Sequence, residues 1–335
     1  MMVSSRHRLA LAAYAGWLAY TWNHKSRPDD WGPWHLARAV TALLRVIFRI
    51  LGVRSLYHHP PSLGQGIAPC VVTVCPHGAF AIGHMFFSLG RLRCEPLLAN
   101  FKGRTGAASV LFKVPVLREF LLLFNVREAV RPTLDAILRA GCSVAINPGG
   151  IWEQVHTSDE REQLYLQGNL GFIRMALRHG VPIVPSYAFG ESQLLPTIKG
   201  GSLLRLREWV ATKFRIGLPA IWPWLRRGLT HTFVLGNSVA TCEVPIPHPT
   251  DEQVAECLER WVAEMQRLFK AHAHEFLPAD VAAKGLTIVT REPVADVRRR
   301  DVGRSAAPSS ASNKAAASKA SSSREPSPCT VRSRL

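Results

Sequence analysis

The sequence predicts an α/β domain whose central sheet is mainly parallel and flanked by helices. Short β-branched runs mark the strands: Cys70-Val71-Val72-Thr73-Val74, Ser143-Val144-Ala145-Ile146 and Pro182-Ile183-Val184-Pro185-Ser186-Tyr187. Gly141 and Gly180, each just ahead of a strand, mark helix ends, because glycine accepts the left-handed conformation that stops a helix. Strands separated by helices pair in parallel, and sites on such sheets form at the loops leaving the carboxyl ends of the strands.

Ahead of this domain, residues 1–57 read as a membrane-associated helical region. Leu9 to Tyr20 is an apolar run bounded by Arg6, Arg8, His24, Lys25 and Arg27. It is short for a bilayer span, which takes about 20 apolar residues. Trp34 to Tyr57 interleaves Arg38, Arg45, Arg49 and Arg54 with Leu36, Val40, Leu43, Leu44, Ile47, Phe48 and Leu51 at spacings of three and four. That pattern predicts a basic amphipathic helix, suited to lying in a membrane interface or to packing on the domain with a solvated basic face.

Residues 58–280 read as the catalytic domain. It closes with Thr250-Asp251-Glu252-Gln253, a capping box, followed by the apolar stripe Val254, Leu258, Trp261, Met265, Leu268 and Phe269, which predicts a packed helix. Residues 281–335 form a basic tail rich in Ala and Ser, whose composition predicts disorder. Its end, Ser333-Arg334-Leu335, is similar to the Ser-Lys-Leu type of peroxisomal address.

The chain has 335 residues, 41 Lys and Arg against 24 Asp and Glu, and a net charge of +17. Positions 296–335 carry nine Lys and Arg against three acids, so +6 belongs to the tail and +11 to the body. Such a balance favours anionic partners: nucleic acid, anionic lipid or a phosphorylated co-substrate. The tryptophans stand beside apolar runs rather than along a basic groove, which argues against nucleic acid. The seven cysteines are scattered without a Cys-x-x-Cys pair, as expected of reduced thiols facing the cytosol.

There is no Gly-x-Ser-x-Gly elbow, Walker loop, Gly-x-Gly-x-x-Gly or His-Glu-x-x-His. His272 and His274, two apart on a helix, diverge and make poor metal partners, so no metal is expected. Two loops at strand ends carry the chemistry: Cys75-Pro76-His77-Gly78 and Asn147-Pro148-Gly149-Gly150-Ile151-Trp152-Glu153. If their strands are neighbours, His77 and Glu153 face one crevice. Taken alone, the same residues also read as a turn histidine and a helix-capping glutamate.

These loops resemble the type-2 diacylglycerol acyltransferase family, which includes monoacylglycerol and wax-alcohol acyltransferases. Cys75-Pro76-His77-Gly78 matches the last three positions of the family's His-Pro-His-Gly, and Phe112-Lys113-Val114-Pro115-Val116-Leu117-Arg118 matches Phe-x-x-Pro-x-x-Arg. Gly149-Gly150-Ile151-Trp152-Glu153 matches Gly-Gly-x-x-Glu. The segment Gly171-Phe172 through Phe189-Gly190-Glu191 is similar to the family's Arg-x-Gly-Phe and Leu-Val-Pro-x-x-x-Phe-Gly-Glu. Cys75 departs from the leading histidine, and Asn169-Leu170 stands where the family tends to place basic residues. Ile82 stands where the wider glycerolipid acyltransferases place the aspartate of His-x-x-x-x-Asp.

The resemblance implies a glycerolipid-acyltransferase-like fold and transfer of a fatty acyl group from acyl-CoA to a neutral lipid, foremost diacylglycerol to give triacylglycerol. Acyl-CoA is then a co-substrate and no cofactor is bound. Monoacylglycerol, a long-chain alcohol or a lysophospholipid are alternative acceptors, and a catalytically inactive lipid-surface protein is an alternative of another class. His77 would be the general base, Glu153 would orient its imidazole, and backbone amides near Gly78 or Gly149 and Gly150 would stabilise the oxyanion. Arg118, Arg174 and Lys113 are candidates for the CoA phosphates, and Phe189 and Glu191 for contact with the acceptor. The family implies the endoplasmic reticulum membrane with the catalytic domain facing the cytosol and anionic lipid nearby; the terminal tripeptide points instead to a peroxisome-like organelle.

Overall fold

A seven-stranded sheet organises the chain, in the order β1 (Arg54–His58), β8 (Thr230–Leu235), β7 (Ile183–Phe189), β2 (Val71–Cys75), β5 (Ser143–Ile146), β3 (Gly103–Ala107) and β4 (Val126–Glu128). The computed structural model describes residues 5–29, 34–50, 54–58, 69–83 and 102–291, apart from positions 223, 225, 227 and 243. The chain divides into two units, Met1–Arg291 and Glu292–Leu335. The second lies outside the described residues, and with it the expected disorder of the tail and the terminal tripeptide.

The first unit opens with α1 (Ser5–Thr21), a 3-10 turn (Trp22–Ser26) and α2 (Trp34–Ile50). No described helix is long and apolar enough to cross a membrane. On α2, Ala37, Val40, Leu44 and Phe48, three or four residues apart, pack on a satellite core of Phe112, Leu122, Leu123, Phe124, Val126 and Leu194. Leu36, Leu43, Ile47 and Ile50 face outward and stay exposed. The helix is thus apolar on both sides.

The expected helix from Trp34 to Tyr57 is corrected at its end. It stops at Ile50, and Arg54–His58 form β1, paired in parallel with β8 from Arg54↔Thr230 to His58↔Val234. The open edge of β8 supplies backbone partners for this segment, and that long-range ladder overrides the helical spacing of its apolar residues. The central sheet therefore begins before residue 58.

The remaining elements follow in chain order. They are β2 (Val71–Cys75), β3 (Gly103–Ala107), a 3-10 turn (Ser109–Lys113), α3 (Leu117–Leu123), β4 (Val126–Glu128), α4 (Arg131–Arg139), β5 (Ser143–Ile146), α5 (Gly150–His156) and β6 (Glu162–Gln167). Then come α6 (Gly171–His179), β7 (Ile183–Phe189), α7 (Gly201–Phe214), β8 (Thr230–Leu235), α8 (Asp251–Phe276), α9 (Ala279–Ala283) and β9 (Leu286–Arg291). The three strands anticipated from β-branched runs are β2, β5 and β7, and they lie side by side, all parallel. β8 runs antiparallel to β7, and β6 pairs with β9 in a separate two-stranded sheet.

The capping box is formed: Thr250 Oγ1 accepts from the Gln253 amide, and Gln253 Oε1 accepts from the Thr250 amide. The stripe on α8 lies on the sheet, with Val254, Trp261, Met265, Leu268 and Phe269 buried. Trp261 donates from Nε1 to Thr73 Oγ1 at 2.9 Å, so the largest core side chain also satisfies a polar group of β2. Phe172 meets Trp261 edge-on, and Tyr187 and Phe189 pack on Phe269.

Candidate active site

Three parallel strands deliver their following loops to one edge of the sheet. The Pro76-His77-Gly78 turn leaves β2, Asn147 leaves β5, and Gly190-Glu191 leaves β7. Because β8 is antiparallel, its beginning lies at that same edge, with Thr232 opposite Phe189. His231 thereby joins the site although no motif marks it.

The turn is held from several directions. Asn147 donates from Nδ2 to the carbonyl of Val74 at 2.8 Å, stapling the β5 loop to the end of β2. Glu153 Oε1 accepts the backbone N–H of His77 at 2.7 Å, and Gln154 donates from Nε2 to the carbonyl of Ala79 at 2.6 Å. Consecutive residues of α5 thus grip the turn by one donor and one acceptor. From below, Glu191 accepts the amides of Ile82 at 2.9 Å and Gly83 at 2.6 Å. A Cβ at Gly78 would lie 2.5 Å from Glu191 Oε1, so only glycine, at φ +61°, lets the turn settle on that carboxyl.

What remains open is the imidazole. His77 is half-buried, and its Nδ1 lies 3.1 Å from the carbonyl of Gly78. A carbonyl only accepts, so Nδ1 carries the proton and Nε2 carries the lone pair. Burial holds the His77 pKa below its ordinary value of 6.5, with the Gly78 carbonyl and the charge of Glu191 opposing in part. The ring is therefore mainly neutral at pH 7, as a base must be.

Glu153 is buried, and burial pushes its carboxyl up to about 8, against the hydrogen bond from His77 and reinforced by Glu162. Glu162, also buried, is raised to about 7 by burial, although it accepts Tyr187 Oη and Gln193 Nε2, both at 2.6 Å. Burial thus favours the protonated forms of Glu153 and Glu162 near neutrality.

Several expectations are corrected here. Glu153 meets the backbone of His77 and not its ring, because the imidazole turns to Gly78. The amides of Gly149 and Gly150 both donate to Asn147 Oδ1, at 2.9 and 2.8 Å, and are not aimed at an oxyanion. Arg118 is buried: it binds the hydroxyl and carbonyl of Thr21 and the carboxylate of Glu119, tying α1 to α3. Arg174 binds Asp251 and the carbonyls of Asn169 and Pro249, bridging α6 to the start of α8. Phe189 is wholly buried among Tyr187, Phe269 and Phe276. Glu191 lies under the turn, bound to backbone and to His231. Lys113 is exposed, and Cys75 is buried in the core with its thiol pKa raised by burial.

Sequence reasoning missed His231, Glu162 and Gln154. The run Thr230-His231-Thr232-Phe233-Val234-Leu235 has the β-branched and aromatic content of a strand, a signal that would have found β8. Nothing local would have brought its histidine to this edge.

The family model for diacylglycerol acyltransferase matches residues 1–283. The chain belongs to the diacylglycerol acyltransferase family. As a member of it, this chain is an O-acyltransferase. It is 27% identical to 2-acylglycerol O-acyltransferase 3 of Homo sapiens over 275 residues, covering 77% of this chain and 79% of that one. Diacylglycerol O-acyltransferase 2 of Rattus norvegicus is 26% identical over 288 residues, covering 80% and 71%. Acyl-CoA wax alcohol acyltransferase 2 of Homo sapiens is 29% identical over 224 residues, covering 61% and 66%.

Proposed function

We propose that this acyltransferase moves a fatty acyl group from acyl-CoA to diacylglycerol, giving triacylglycerol, with His77 Nε2 as the general base. The observation that carries this reading is the state of the turn: its backbone is tied down on several sides while the imidazole, with Nδ1 engaged by Gly78, keeps an Nε2 lone pair without a partner among the described residues on a half-buried ring. A lipid hydroxyl is a poor nucleophile at neutral pH and needs its proton removed as it attacks. Nε2 takes that proton while the oxygen adds to the thioester carbonyl. The oxyanion forms beside the Gly78 amide, since those of Gly149 and Gly150 already serve Asn147. Collapse breaks the C–S bond, and the imidazolium returns the proton to the departing thiolate, leaving ester and free CoA thiol.

The acceptor and acyl donor come to the protein at a lipid surface in this reading. Leu43, Ile47 and Ile50 on α2, and Trp209 and Phe214 on α7, are exposed, and the exposed Trp222 and Trp224 stack at 5.2 Å. Exposed tryptophans and aliphatic side chains suit the headgroup level of a membrane. The endoplasmic reticulum, with the domain toward the cytosol, is the proposed setting; imaging with and without the last three residues tests it against a peroxisome-like organelle.

The test is transfer from labelled acyl-CoA by purified protein to a panel of diacylglycerol, monoacylglycerol, a long-chain alcohol and a lysophospholipid. Diacylglycerol is expected to give the highest kcat/KM, and His77→Ala to lose about 10² or more in turnover. Near-normal transfer by a folded His77→Ala enzyme rules out the base. Preference for another acceptor reassigns the substrate and leaves the base in place.

A further inference from the structure

His231 and Glu191 lie opposite the functional face of the turn. Their side chains are 0% and 1% exposed, and His231 Nε2 stands 2.9 Å from Glu191 Oε2. The same oxygen accepts the Gly83 amide, and Oε1 accepts that of Ile82. Backbone geometry delivers the carboxyl to this spot. Gly190 turns at φ +83°, where a Cβ would meet the Thr230 carbonyl at 2.7 Å, and so swings Glu191 off the end of β7 and under the turn.

A buried carboxyl is stable in such a place when donors satisfy it, and here two amides and an imidazole do so. The amides belong to Ile82 and Gly83, which follow the turn, and the imidazole belongs to β8, a strand of the sheet. Gly78, whose carbonyl holds His77 Nδ1, rests against the same carboxyl. A chain of contacts therefore runs from β8 through His231 and Glu191 to the carbonyl that fixes the tautomer of His77.

We infer that the His231–Glu191 pair is a positioning clamp, which locks the turn so that the Gly78 carbonyl keeps the proton on His77 Nδ1 and leaves Nε2 basic. The inference rests on the reading of His77 as the base. Both clamp side chains are buried beneath the turn, so their loss acts on turnover rather than on acyl-CoA binding.

The experiment compares His231→Phe, which keeps a flat ring without a donor, with His231→Gln, which keeps a donor, beside Glu191→Gln and His77→Ala. Readouts are kcat, KM for acyl-CoA and melting temperature. His231→Phe is expected to lose about 10- to 100-fold in kcat, the scale of misplacing a catalytic group, with KM within about twofold. His231→Gln is expected to recover most of that loss, which a purely structural role for the ring would not produce. If His231→Phe fails to fold, Glu191→Gln carries the same test of kcat against KM.

A folded His231→Phe or Glu191→Gln enzyme with unchanged kcat overturns the clamp, as does a rise in KM at constant kcat. So does a His231→Gln enzyme as impaired as His231→Phe. Active His231→Phe beside inactive His77→Ala overturns the clamp alone, whereas active His77→Ala overturns the reading beneath it.

Discussion

Glu153 accepts the backbone amide of His77 at 2.7 Å and leaves the imidazole to the carbonyl of Gly78. The carboxyl thus holds the chain that carries the base rather than the base itself. That distinction, between steering a ring and pinning a turn, changes what substitution should do.

Glu153→Gln is expected to keep activity within about threefold, because an amide oxygen accepts the His77 N–H as well as a protonated carboxyl does. Glu153→Ala leaves that amide without its acceptor, at about 1–3 kcal/mol, and is expected to lose about 10- to 100-fold in kcat. Steady-state kinetics of the two enzymes decide the matter. A collapse of activity in Glu153→Gln would mean that a carboxylate charge is needed at the ring.

Stability should fall as pH rises from acid to mildly alkaline. Glu153 and Glu162 titrate near 8 and 7 in the folded chain against an ordinary 4.5. Above about pH 4.5 the unfolded chain releases these protons while the native chain still binds them, so unfolding gains with each step in pH up to the folded values. The melting temperature of wild type is expected to drop more between pH 5 and pH 8 than that of Glu153→Gln, on scanning calorimetry in about 0.1 M salt. Equal slopes for the two proteins would contradict the raised value.

Activity should titrate on the acid side below the usual histidine range. Burial lowers the His77 pKa from 6.5, so the acid limb of kcat/KM is expected to have its midpoint under that value. A midpoint above 6.5 would exclude a buried neutral imidazole as the base. His77→Ala should abolish this limb together with most of the rate.

Arg118→Met is expected to destabilise the fold by about 2–3 kcal/mol, since it removes the guanidinium that joins Thr21 to Glu119. KM for acyl-CoA should stay unchanged, because the side chain is turned to α1 and away from the turn. A severalfold higher KM at unchanged stability would restore Arg118 as a phosphate ligand.

Gly217→Ala tests the grip of Gln154. A Cβ there would lie 1.8 Å from Gln154 Oε1, so the amide must move and release the Ala79 carbonyl. Turnover is expected to fall about tenfold, as for other displaced second contacts of a base, with little change in melting temperature. Wild-type kcat in this enzyme would show that the Gln154 contact is dispensable.

The sequence alone determined those parts that depend on local rules. Strands β2, β5 and β7 follow from β-branched runs, the start of α8 from its capping box, and the two glycine-bearing loops from residues that accept tight turns. It brought His77 and Glu153 to one edge only on condition that their strands are neighbours, and the pairing of β2 with β5 meets that condition. Only the tertiary structure decided which atoms meet. That Arg54–His58 is a strand depends on the free edge of β8, far along the chain. That Arg118 and Phe189 are interior depends on α1 and α8 closing over them. That Glu153 reaches a backbone amide, and that His231 stands under Glu191, depends on strand order and on the antiparallel sense of β8. Spacing along a chain fixes which face a residue takes within its own element; the direction of a hydrogen bond between elements is fixed only when the sheet is assembled.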